Sequence, residues 1–94
     1  MISDILNSNR IKASLHVEFT SVNGEVVLLE RRSGVYFGLD GIGSLVWQGL
    51  VKQSSFEEIL ISIEQQYEVD RQTLSADVAR LLETMKAKGL IEVS

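Results

Sequence analysis

The chain changes its hydrophobic period at one residue, Asp40. Before it, Val35-Tyr36-Phe37-Gly38-Leu39 reads as a short apolar strand. After it, Ile42, Leu45, Val46 and Leu50 recur at helical spacing. An Asp at such a junction is a strong N-cap, because its carboxylate accepts from the open N–H groups of the first helical turn. A strand that ends on a helix cap has almost no connecting loop, so the two elements are forced to pack together. This strand is also expected at a sheet edge, where a row of N–H and C=O groups has no partner. Gly41, Gly43 and Gly49 lower the propensity of the helix that follows. Gly43 either lets another backbone approach or is simply tolerated.

The segments before the junction read as two more strands. Leu15, Val17 and Phe19 alternate with His16, Glu18 and Thr20, the pattern of a strand with one buried face. Asn23-Gly24 supplies the positive φ angles of a type I′ hairpin turn. Residues 25–31 form the return strand, and Val26-Val27-Leu28-Leu29 suits a central strand covered on both faces. Arg32-Ser33-Gly34 turns the chain into the third strand. The result is a β-meander with its first and third strands at the edges.

Two further helices follow. Ser55 and Glu58 form a capping box, each side chain satisfying a backbone N–H of the other. Ile59, Leu60, Ile63 and Tyr67 give that helix its apolar stripe. Asp70 caps a third helix with Leu74, Val78, Leu81, Leu82 and Met85 on one face. Gly89 stops it at the position where a left-handed residue is favoured, and Lys86 and Lys88 complement the dipole of the last turn. Leu90-Ile91-Glu92-Val93 leaves room for a short last strand. The fold class is therefore α+β, a three-stranded antiparallel N-terminal sheet packed on a three-helix, winged-helix-like bundle. Residues 1–13 are expected as a flexible N-terminal arm with a helical turn over Ser3 to Leu6, and residues 14–94 as one domain.

Composition removes most chemistry. There is no cysteine, so thiolate nucleophiles, disulfides and Cys-based zinc sites have no material. His16 is the sole histidine and is expected on a solvent-facing strand position. Glu57, Glu58 and Glu64 read as solvated helix positions rather than a carboxylate pair. The glycines of residues 38–43 match neither a P-loop nor a dinucleotide fingerprint. No cofactor and no metal site is expected, and an enzyme is the weakest reading. The net charge of −4 weighs against nucleic acid and anionic membrane as partners. Between Asp70 and Lys88, four basic residues face three acidic ones, thin for a DNA recognition helix. Trp47, the sole tryptophan, is expected as a core or inter-element anchor rather than an exposed contact. The N-terminus has no basic segment of a signal peptide, and a cytoplasmic location is expected.

Laid in order, several short pieces carry a resemblance. They are Val27-Leu28-Leu29, Gly34-Val35-Tyr36-Phe37-Gly38-Leu39-Asp40, Gly43-x-x-Val46-Trp47, and Ser55-Phe56-Glu57-Glu58-Ile59. Then come Tyr67-Glu68-Val69-Asp70, Asp77-Val78-x-x-Leu81-Leu82 and Lys88-Gly89-Leu90-Ile91. In order and spacing the chain resembles the PqqD-like family, the peptide-recognition modules of pathways that modify ribosomally made peptides. Within it, the chain looks most like the free-standing recognition proteins of lasso-peptide pathways, with the quinone-cofactor branch as alternative. Many members have proline or threonine after the capping residue; Gly41 stands there in this chain, which implies a looser helix start.

The resemblance implies a non-catalytic protein that binds the leader segment of a precursor peptide and delivers it to a separate enzyme, a leader peptidase and then a cyclase. The edge strand reaches a compatible place by itself, since an extended peptide can add to it by β-augmentation. The resemblance puts the side-chain pockets between the third strand and the third helix. Val35, Tyr36 and Phe37 are then the strand side of the groove, Leu74, Val78 and Leu81 its apolar helix side, and Asp77 or Arg80 a polar contact at its rim. The competing readings are a winged-helix DNA-binding regulator and an antitoxin-like or purely structural interaction protein. On the groove reading, Val78→Glu abolishes leader binding and leaves helicity largely intact, which a titration of the folded variant checks.

Overall fold

The computed structural model describes residues 11–93. The expected helical turn over Ser3 to Leu6 lies outside the described residues. The chain runs β1 (Ile11–Ala13), β2 (Val17–Val22), β3 (Glu25–Glu30), β4 (Val35–Leu39), α1 (Gly41–Val51), α2 (Phe56–Glu64), α3 (Arg71–Ala87) and β5 (Ile91–Val93). The fold is α+β. β2, β3 and β4 form an antiparallel three-stranded sheet in that order, so β2 and β4 are its edges, as the meander predicts. A second, two-stranded sheet joins β1 to β5 antiparallel, Lys12 opposite Glu92.

The local chemistry expected at the turns and caps is present. Asn23 and Gly24 both take positive φ, and Val22 pairs with Glu25 across the two-residue hairpin loop. The Asp40 side chain accepts from the N–H of Gly43, and Ser55 and Glu58 close a full capping box. α3 ends in a Schellman motif. Gly89 takes φ +74°, the N–H of Leu90 donates to the Met85 carbonyl at 2.9 Å, and that of Gly89 to Lys86 at 3.1 Å. Leu90 is buried, supplying the apolar contact that accompanies the motif.

The start of the chain differs from the expectation in two ways. Residues 11–13, placed in a flexible arm, form β1 and are held by β5. Leu15 and His16 are not strand residues. They occupy a turn, closed by the N–H of Val17 on the Ser14 carbonyl at 3.2 Å. Leu15 is 83% exposed, and the inward face of β2 is carried by Val17 and by Phe19, whose ring meets Trp47 edge-on at 5.8 Å. His16 is exposed, as expected, though in the turn.

Across the sheet, Val26 and Leu28 of β3 are fully buried against the helices, while Val27 and Leu29 on the outer face are half-buried. Phe37 and Leu39 of β4 share the inner face with them, by register with Leu28 and Val26. Trp47 sits at the centre of the core with Leu50, Ile63 and Leu82, which settles it as an inter-element anchor.

One hydroxyl ties sheet to helix. Ser44 of α1 is buried; its Oγ accepts from the N–H of Val26 at 3.0 Å and donates to the carbonyl of Leu39 at 3.3 Å. Val26 and Leu39 are register partners, so the hydroxyl bridges one rung of the β3–β4 pair. Ser44→Ala leaves the buried N–H of Val26 without this acceptor. It is expected to lower stability by about 1–3 kcal/mol, read as an earlier urea midpoint at unchanged m-value.

Candidate functional site

Beyond β4 the molecule opens into a groove of about 440 Å³, lined by Gly38, Leu39, Asp40, Ile42, Gly43, Asp77, Val78 and Leu81. One wall is the end of β4 and the first turn of α1. The other is the side of α3. β4 pairs with β3 on one side and no other strand among the described residues, so its second edge carries free backbone donors and acceptors. At the middle of β4, the ammonium of Lys88 lies 5.6 Å from the centre of the Phe37 ring. The strand and α3 thus face each other from Phe37 and Lys88 to Leu39 and Asp77.

The sharpness of the strand-to-helix corner sets the shape of this wall. The Asp40 carboxylate accepts from Gly43 at 2.7 Å. A methyl group on Gly43 would stand 3.1 Å from the Asp40 carboxylate and 3.3 Å from Leu39 Cβ. Gly43 is therefore a close-approach residue, and what it admits is the side chains of Leu39 and Asp40 at the end of its own strand. A methyl on Gly41 would overlap the hydroxyl of Tyr67. Tyr67 fills the space where a side chain at this position would project, and the helix starts on a formed cap.

At the far end of β4 a buried carboxylate shapes the turn. Glu30 is 4% exposed and accepts from the N–H of Ser33 at 2.9 Å and from the N–H and Nε of Arg32 at 3.4 Å. Burial pushes its carboxyl up, but the hydrogen bonds from Ser33 and Arg32 outweigh burial and hold it below the ordinary carboxylate range. Two other carboxyls are lowered: Glu64 by its hydrogen bonds with Arg71, and Asp70 by those from Thr73. Arg71 bridges Glu64 of α2 at 2.8 Å and Glu57 at 2.8 Å, and its own protonation is strengthened accordingly.

Of the residues expected at the site, Asp77, Val78 and Leu81 line the groove. Phe37 is half-buried under Lys88, and Val35 and Tyr36 are exposed on β4, Tyr36 at 69% and on the outer sheet face. Leu74 is buried in the core and is not among the groove-lining residues. Arg80 is exposed and donates to Asp77 at 3.0 Å. Val78 serves both core and groove at 1% exposure, so a glutamate there buries an unpaired carboxylate and disrupts the fold. The expected separation of binding from folding therefore fails at Val78. Leu81 also lines the groove but is only half-buried. The groove is also lined by Gly38, Leu39, Asp40, Ile42 and Gly43, which were not expected there from the sequence. Leu39 could have been found, because it lies two residues from Phe37 and so shares its face.

Similarities to known proteins bear on this arrangement. The sequence profile of coenzyme PQQ synthesis protein D (PqqD) matches residues 25–91. TbiB1, solved in complex with the TbiA(beta) leader peptide, superposes with a TM-score of 0.82 at 40% identity, over 86% of this chain and 94% of that one. Lasso peptide synthetase B1, solved in complex with the leader peptide, gives 0.79 at 26% identity, over 87% and 96%. No curated protein matches the chain in sequence.

Because Glu30, Glu64 and Asp70 have lowered folded-state values, the unfolded chain binds their protons first as pH falls. Their contribution is complete above the ordinary carboxylate range and is lost as pH drops through the lowered values. Urea midpoints measured from about pH 7 to about pH 3 are expected to fall on the acid side. Glu30→Gln removes part of that slope and leaves the share of Glu64 and Asp70.

Proposed function

The chain belongs to the PqqD family, and from that premise we propose that it is a recognition protein for the leader segment of a ribosomally made precursor peptide. The leader adds as a strand to the free edge of β4, antiparallel sheet chemistry supplying generic affinity and the groove against α3 supplying specificity. Val35, Tyr36 and Phe37 present the strand. Asp77, Val78 and Leu81 form the helix wall, with Arg80 at the rim through Asp77 and Leu74 supporting the wall from the core. Leu39 and Ile42 complete the apolar lining. The unit spans residues 14–94, its helices arranged in a winged-helix-like manner against the sheet, with β1 tied to it by β5.

The observation that carries this reading is the free β4 edge opening onto an apolar groove, in a chain whose fold matches two proteins solved with leader peptides. The likeness to lasso peptide synthetase B1 favours lasso peptide biosynthesis over the quinone-cofactor branch. The protein holds and presents the leader and performs no chemistry itself. It delivers the peptide to a leader peptidase or other modifying enzyme, and a cyclase then acts on the core. The proposal places these events in the cytoplasm, where the precursor is made. Among the described residues no helix is long and apolar enough to cross a membrane. The DNA-regulator alternative is weakened by α3, which offers an Asp77–Arg80 pair where a basic surface is needed.

The test is a titration with fluorescently labelled TbiA(beta) leader peptide. Leu81→Glu is expected to weaken binding roughly tenfold or more, since it sets a charge against the apolar side chains of the incoming strand. Its circular dichroism should match the wild type. Ile42→Glu, on the opposite wall, provides a second check. Two folded variants with wild-type affinity contradict the groove assignment.

A further inference from the structure

Charged side chains in and beside the groove bear on which peptides it takes. Asp40 and Asp77 are among the residues that line it. Asp40 accepts from its own helix, and Asp77 is paired with Arg80 at 3.0 Å. Outside the groove-lining residues, in the turn before β4 and just past α3, stand two cations, Arg32 and Lys88. The Arg32 guanidinium lies against Gly89, 3.1 Å from where a methyl group would be, and is paired with Glu30 at 3.4 Å. Lys88 has no carboxylate partner among the described residues. Its ammonium is held over the Phe37 ring, on the face of β4 that looks into the groove.

A lysine at a helix C-terminus is ordinarily content with the dipole and water. This one is drawn to a fixed place beside the strand edge by an aromatic face. From the proposed leader-binding function, on which this step rests, we infer that Lys88 is a specificity residue. It pairs with an acidic side chain of the bound peptide, at the position that passes Phe37. The ring supports the ammonium without neutralising it, so the charge stays available. A peptide with a basic side chain at that position meets the like charge of Lys88. Selection thus works by attraction and by repulsion at one point of the register.

The test uses labelled TbiA(beta) leader peptides in which each position in turn is replaced by Glu and by Lys. Each is titrated by fluorescence anisotropy against the wild type, Lys88→Met and Lys88→Glu. For the wild type, one position should favour Glu over Lys by roughly three- to fivefold, the range of a solvent-accessible ion pair. Lys88→Met should remove that preference and Lys88→Glu should invert it, while the other positions keep their ranking. A lysine with a purely structural role would weaken all peptides alike and invert nothing. Identical charge preferences in the three proteins overturn the role of Lys88 and leave the groove assignment intact. Failure of the wild type to bind any of these peptides overturns the recognition reading, and this inference with it.

Discussion

The bridge made by the Ser44 hydroxyl is the constraint on which the rest of the structure depends. Val26 and Leu39 face each other at the end of the β3–β4 pair, and Ser44 reaches both from the first turn of α1. A backbone N–H buried in this core needs an acceptor, and leaving it without one costs about 1–3 kcal/mol. The chain meets that need from a helix that begins two residues after the strand ends. The strand therefore cannot slide along β3 without breaking the bridge, and α1 cannot tilt away without exposing it. Asp40 fixes the same corner from the other side, and Gly43 lets the corner close. The free edge of β4 is consequently held in register and in orientation before any peptide arrives. Preorganisation of that kind lowers the entropic cost of binding.

The opposite wall is held by burial more than by charge. Arg71 joins α3 to α2 through Glu64 and Glu57, but these side chains are substantially exposed, and pairs of that kind contribute at most about 1 kcal/mol. The apolar face of α3 does more. Leu74, Val78, Leu82 and Met85 are buried in the common core, and Leu90 beyond the Schellman turn continues that face. β5 then ties the end of the helix to β1. α3 so has two functional sides: a core face through residues 74, 78, 82 and 85, and a groove face through 77, 78 and 81. Val78 belongs to both, so a substitution there disturbs the core together with the groove.

This double role explains what was legible in the sequence. Elements with their own local chemistry were plain: the Asn23-Gly24 hairpin, the caps at Asp40, Ser55 and Asp70, and the stop at Gly89. The order of the meander followed from turn spacing, and with it the edge position of β4. β1 was missed because Ile11-Lys12-Ala13 is too short to show a period, and its partner lies about eighty residues away in sequence. Leu15 was assigned inward because alternation cannot reveal that a turn breaks the strand after Ser14. Helical spacing grouped Leu74 with Val78 and Leu81, whereas the groove uses a face rotated toward Asp77. Ile42 and Gly43 enter the site only because the Asp40 corner brings the start of α1 beside residues 77 to 81. That juxtaposition is tertiary, and no local pattern encodes it.

A free strand edge is also a hazard, since it templates pairing with any exposed strand, including that of a second copy. Three features of this edge limit the hazard. β4 has five residues, so a casual partner gains few hydrogen bonds. Gly38 interrupts it with a position that contributes no side-chain packing. α3 lies along it as a wall, bearing the Asp77–Arg80 pair at one end and Lys88 at the other. An intruding strand must fit its side chains into the apolar stretch around Leu39, Ile42 and Leu81 and match the charges that flank it. On the proposed binding mode, the wall that supplies selectivity is also what lets the edge stay open, and substitutions that flatten or neutralise α3 act on both at once.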